Sequence, residues 1–88
     1  MYGLSRSQEP RPICEIARNI IAVWNAHGKG VSPHAAPYLD AMLSLRTIDD
    51  VYGLDSAESI IAYGLSNMST FKGEEARALK VELKLYLK

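Results

Sequence analysis

Residues 72–88 read KGEEARALKVELKLYLK, and their conformation decides the fold class of this 88-residue chain. From Leu79 to Leu85 apolar and polar residues alternate strictly, which is the pattern of a half-buried strand. Nearly all of these residues are strong helix formers, however, and Val81 alone is β-branched. No other segment offers a matching alternating partner, and a lone strand is unstable. The stretch therefore predicts a last helix that ends near Tyr86.

As a helix, this stretch carries two apolar faces. One face suits the core of its own domain and consists of Ala76, Leu79, Leu83 and Leu87. The other face lies roughly opposite and consists of Ala78, Val81 and Leu85. We expect the second face to pack on a partner chain. The alternatives are that a small bundle wraps the helix more fully, or that these residues are simply exposed.

The same helix also carries a line of cations at spacings of three, four and four, formed by Arg77, Lys80, Lys84 and Lys88. Lys72 lies just before this line, and Phe71 could stack beside it. A nucleic-acid backbone is an acceptable partner for such a line. Three nearby glutamates dilute the positive charge, so a solvated helix face is the simpler interpretation.

The segment from Ser66 to Glu74 has two interpretations. In the first it is an interhelical turn in which Phe71 packs as a hydrophobic staple. In the second, Phe71 and Lys72 are exposed as a docking point. Gly64, just before this segment, lies within the apolar stripe of a predicted helix. Because glycine weakens a helix, its presence there predicts the close approach of another helix.

The rest of the chain predicts an all-α protein of four or five short helices around one core, with few or no strands. The first helix runs from about Ile13 to His27, and the second covers 37–45 after a turn at 33–36. Thr47 is expected to start a short third helix. Asp55 is expected to cap a fourth helix, which runs to about Asn67. Residues 1–11 are expected to form a flexible arm, and residues 12–88 a single helical domain.

Composition excludes several classes of protein. Ten basic and ten acidic residues balance, and 48% of the residues are hydrophobic, so neither a disordered tail nor a polybasic arm is expected. One cysteine cannot form an internal disulfide, which favours an intracellular protein. No apolar run is long enough to span a membrane. We therefore expect a cytoplasmic protein without membrane contact.

No pattern of catalytic, cofactor-binding or metal-binding residues is present. Cys14, His27 and His34 are the only soft or imidazole ligands, and neither a CxxC nor an HExxH motif occurs. Along one helix, His27 lies about 20 Å from Cys14, which is too far to activate its thiol. The chain is therefore not expected to be an enzyme or to hold a cofactor.

Several short motifs between residues 32 and 84 resemble a family of short proteins carried by bacteriophages, prophages and mobile elements. The motifs are Pro37-Tyr38-Leu39-Asp40-Ala41-Met42, Tyr52-Gly53 with Asp55-Ser56, Ser66-Asn67 with Ser69-Thr70-Phe71, and Gly73-Glu74 with Ala76. The resemblance implies a compact helical protein that works in the bacterial cytoplasm. The family has no assigned activity, so no residue role is transferred from it.

Together these patterns predict a non-catalytic protein–protein interaction module that self-associates, with a homodimer as the expected form. The partner-binding candidates are Phe71, Lys72, Val81 and Leu85. The alternative is a small nucleic-acid-binding regulator that uses Arg77, Lys80, Lys84 and Lys88.

Overall fold

The computed structural model describes residues 11–87, most of which are helical. The elements, in chain order, are α1 (Ile13–Asn25), α2 (Ala36–Met42), β1 (Val51–Tyr52), β2 (Asp55–Ser56), α3 (Ala57–Ser66), α4 (Glu74–Lys84) and a 3-10 turn (Leu85–Leu87). The predictions of a mostly helical protein and of a helix near the end of the chain are confirmed. Helix α1 ends two residues before its predicted end, and α2 begins one residue earlier and ends three residues earlier than predicted.

Apolar side chains from all four helices pack into one core. Helix α1 packs against α2 and α4, and α2 also packs against α3. Ile16 and Ile20 of α1, Met42 of α2 and Leu83 of α4 are completely buried. This arrangement fixes one face of α4 against the domain and leaves the opposite face at the surface.

Backbone carbonyl groups cap the start of α1 in place of a side chain. The N–H of Ile13 donates to the carbonyl of Arg46 at 3.1 Å, and the N–H of Cys14 donates to the carbonyl of Leu45 at 2.8 Å. The Tyr86 hydroxyl donates to the Arg11 carbonyl at 2.6 Å. The first two contacts satisfy N–H groups that have no partner within the helix. Together with the Tyr86 contact, they join the start of α1 to the middle and the end of the chain.

Arg11 is the last residue of the predicted arm, and it is anchored. Its Nε donates to Oε1 of Glu82 at 2.7 Å, and its Nη2 donates to Oε2 at 2.9 Å. Nη1 donates to the side chain of Asn19 at 2.8 Å. The hydrogen bond to Glu82 raises the pKa of Arg11. The rest of the predicted arm, residues 1–10, lies outside the described residues.

The prediction of a third helix at Thr47 is wrong. The Asp50 carboxylate accepts hydrogen bonds from the N–H of Arg46 at 2.7 Å and from the N–H of Thr47 at 3.2 Å, and so closes a turn. These backbone bonds lower the pKa of Asp50. The chain then forms an antiparallel hairpin in which β1 pairs with β2. Gly53 permits this reversal because its φ is +64°, a region that favours glycine.

The N-cap of α3 lies one residue later than predicted, at Ser56. The Ser56 hydroxyl, and not Asp55, accepts the N–H of Ser59 at 3.1 Å. The predicted close approach at Gly64 is confirmed. A Cβ at this position would lie 2.6 Å from Cε of Met42 and 3.2 Å from Cβ of Tyr38. Glycine at position 64 therefore lets α2 and α3 pack closely.

Candidate interaction surface

Helix α4 has one buried apolar face and one exposed apolar face. Ala76, Leu79 and Leu83 are buried, which confirms the predicted inner face for these three residues. Leu87, its fourth member, lies in the 3-10 turn and is partly buried against the core. On the other side, Val81 is 50% exposed, and Leu85, which caps the end of α4 and begins the 3-10 turn, is 47% exposed. Ala78 is also exposed. We call Ala78, Val81 and Leu85 the outer stripe.

Charges of opposite sign flank the outer stripe. Successive residues of a helix are rotated by about 100°. Arg77, Lys80 and Lys84 therefore lie on one side of the stripe, which we call the basic edge. Glu75 and Glu82 lie on the other side, which faces α1, and we call them the acidic edge. Beyond Glu74, which lies on the line of the stripe at the start of α4, the helix thus presents an apolar strip. Cations lie on one side of it, and Glu75 and the Arg11–Glu82 ion pair lie on the other.

Beside the basic edge lies an open hollow of about 330 Å³, which we call the basic hollow. Its charged lining consists of Lys72, Arg77, Lys80 and Lys84, and its remaining lining consists of Phe71, Gly73 and Val81. The chain bends at Gly73, the N-cap of α4, whose φ is +115°, and Lys72 lies in the same hollow as the basic edge. Lys88, the fourth member of the predicted line, lies outside the described residues.

Lys80 occupies the centre of the basic hollow. Its Nζ lies 5.8 Å from the centre of the Phe71 ring, within the range of a cation–π contact. Partial burial lowers the pKa of Lys80, and the nearby charges of Lys84 and Lys72 lower it further. No carboxylate of residues 11–87 lines this hollow. The cations therefore repel one another within the hollow, and the nearest carboxylates, Glu74 and Glu75, line the adjoining hollow on the far side of Lys72.

Phe71 is not available to a partner, so the expectation of an exposed docking point is wrong at this residue. Its side chain is only 2% exposed, and its ring stacks on Trp24 with the ring centres 4.8 Å apart. Burial of this large apolar ring is more favourable than exposure because it fills the core between α1 and α4. Lys72, its neighbour, is exposed as expected.

The β-hairpin exposes a second apolar surface that sequence reasoning missed. Leu54 at its tip is 104% exposed, and the neighbouring Val51 and Tyr52 are 64% and 49% exposed. The signal available in the sequence is the pair Gly53-Leu54 directly after the β-prone Val51-Tyr52, because a Gly-X pair is typical of a two-residue hairpin turn. Leu54 provides a matched control position for tests of the outer stripe.

Among residues 11–87, no three His, Cys, Asp or Glu side chains come together as metal ligands would. No helix in this range has the length and apolar character needed to cross a bilayer.

The chain matches no protein-family model, no curated protein and no solved structure. The resemblance to short phage-borne proteins therefore stays a prediction. The features of the described residues that indicate a function are the outer stripe, the charged edges and the basic hollow of α4.

Proposed function

We propose that this protein is a small non-catalytic interaction module that self-associates through the outer stripe of α4. The observation that supports the proposal is the half-exposure of Val81 and Leu85 on a helix whose opposite face is completely used by the core. Apolar side chains at neighbouring turns form a continuous strip, and covering that strip removes apolar area from water.

The two charged edges make a second copy of this chain a suitable occupant. When two copies pack with their α4 helices parallel, a two-fold axis places the basic edge of each beside the acidic edge of the other. In an antiparallel pair, like edges would meet and repel. In the parallel pair, Arg77 lies across from the partner's Glu82, five residues further along, which is the spacing of charge pairs in parallel helical dimers. Each Glu82 carboxylate also accepts hydrogen bonds from Arg11 of its own copy, so Arg77 would share it.

The proposed interface between two copies is small, and its small apolar area limits the affinity of the dimer. Three residues from each copy form its apolar part, so we expect a weak dimer with a Kd between about 1 µM and 1 mM. Such a dimer forms and dissociates as the protein concentration changes. The surface stays available to another protein when the concentration is low.

The cellular setting is part of the proposal. The resemblance to short phage-borne and prophage-borne proteins supports a role in the bacterial cytoplasm, where a module of this kind binds a host or viral protein. The single cysteine supports a reducing compartment. The identity of the protein partner is left open.

Sedimentation equilibrium tests the self-association. Between about 10 µM and 1 mM, we expect the mean mass of the native protein to rise towards that of a dimer. Val81→Asp should remain monomeric, because association would bury an unpaired carboxylate at the centre of the stripe and remove its hydration shell. Leu54→Asp, which introduces the same charge at the fully exposed hairpin tip, should behave like the native protein.

Two outcomes would contradict the proposed interface. One is a native protein that remains strictly monomeric at the highest concentration. The other is loss of the dimer in Leu54→Asp but not in Val81→Asp, which would move the contact to the hairpin. Circular dichroism of each variant checks that the helices are intact.

A further inference from the structure

We propose that the basic hollow of the monomer binds the phosphates of a nucleic-acid strand, a binding function that shares Arg77 and Val81 with the proposed dimer contact and therefore competes with it. Lys72, Arg77, Lys80 and Lys84 line one open concavity, and no carboxylate of residues 11–87 shares it. The single ion pair found in this part of the chain, Arg11 with Glu82, belongs to the acidic edge. An anion would therefore meet four cations that have no competing partner in the hollow.

The environment of Lys80 favours an anionic ligand. Its ammonium group is partly desolvated above the Phe71 ring, and Lys84 and Lys72 repel it. A bound phosphate would relieve this repulsion and restore the hydrogen bonds that Lys80 loses to burial. Glu74 and Glu75 line an adjacent hollow at the start of α4, so their carboxylates do not line the proposed phosphate site.

The length of the basic edge suits a chain of phosphates better than a single one. Arg77 and Lys84 are seven residues apart, which is about 10 Å along the helix. Each strand of a duplex presents one charge per 3.4 Å of its axis, so about three phosphates fit this span. Lys72 extends the path beyond the start of α4. A second hollow, of about 450 Å³, also reaches Lys72 and continues the path to Lys29.

The probes are fluorescein-labelled DNA, single-stranded and duplex, of about 20 nucleotides per strand, which exceeds the expected footprint of three or four phosphates. Binding is followed by anisotropy as the salt concentration is raised from about 50 mM. Three or four phosphate contacts predict that log K falls with log salt at a slope of about −3 for duplex, and at a slope nearer −2 to −3 for single strands. The two probes show which form the hollow prefers.

Two double variants with the same change in net charge locate the site. Lys72→Glu with Lys84→Glu reverses two exposed cations of the hollow, and we expect it to weaken binding at least about tenfold. Arg18→Glu with Arg46→Glu reverses two exposed cations outside the hollow, and we expect a change of less than about threefold. Thermal unfolding of both variants checks that the fold is retained.

Three results would overturn the inference. They are the absence of binding to either DNA at about 50 mM salt, an equal loss of affinity in the two double variants, and binding to vesicles containing phosphatidylserine without binding to DNA. A monomer is sufficient for the proposed contact. A failure of self-association in sedimentation therefore leaves this inference intact, and the two proposals fail separately.

Discussion

Phe71→Ala is expected to lower the free energy of unfolding by about 3–5 kcal/mol, the range for removal of a buried phenylalanine ring. The ring is 2% exposed and stacks on Trp24, so its loss leaves a cavity between α1 and α4. The total stability of a domain of this size is roughly 4–13 kcal/mol. The substitution therefore removes a large part of the stability, and urea unfolding followed by circular dichroism measures it.

Leu54→Ala is the control for this measurement. Leu54 is fully exposed at the hairpin tip, so its truncation should change the free energy of unfolding by no more than about 0.5 kcal/mol. A loss below about 1 kcal/mol for Phe71→Ala would contradict a core role for the ring. It would also restore the interpretation of Phe71 as an exposed docking residue.

Gly64→Val is expected to lower the free energy of unfolding by about 2–3 kcal/mol through overpacking between α2 and α3. A Cβ at position 64 would lie 2.6 Å from Cε of Met42 and 3.2 Å from Cβ of Tyr38. The Met42 methyl can move because it ends a flexible side chain. The Tyr38 Cβ moves only with the backbone of α2, so the extra carbons of valine force the helices apart.

Two further variants separate overpacking from helix propensity. Gly64→Ala gains about 1 kcal/mol of propensity, which offsets the displacement of the Met42 methyl and leaves the stability nearly unchanged. Ala62→Val, at an exposed position of the same helix, should cost only about 0.5 kcal/mol. If urea unfolding gave equal losses for Gly64→Val and Ala62→Val, close packing at Gly64 would be excluded as the cause.

The sequence predicts features that depend on local spacing. The helical periodicity of residues 74–87 predicts both faces of α4, since the buried Leu83 and the exposed Val81 follow from their positions on one helix. Gly64 predicts a close helix contact because glycine within an apolar helical stripe needs a packing reason. The line of cations follows from the same spacing.

The hairpin is a local feature, but both of its short strands are exposed and leave no alternating pattern of burial. Features that depend on distant contacts could not be predicted from local spacing. The pairing of Arg11 with Glu82 joins residues 71 positions apart, and no local motif indicates it. The sequence indicates that Lys72 precedes the line of cations, but the concave shape that joins it to the basic edge depends on the backbone bend at Gly73.

Disulfide cross-linking tests most directly the claim that two copies meet along parallel α4 helices. Val81→Cys and Leu85→Cys are prepared separately, with the buried Cys14 replaced by alanine. In a parallel pair each stripe residue lies opposite the same residue of the partner, at a separation that a disulfide can bridge. The account predicts that each variant alone forms a disulfide-linked dimer under mild oxidation. Cross-links at one position only, or preferential linkage of position 81 to position 85 in a mixture of the two variants, would contradict it.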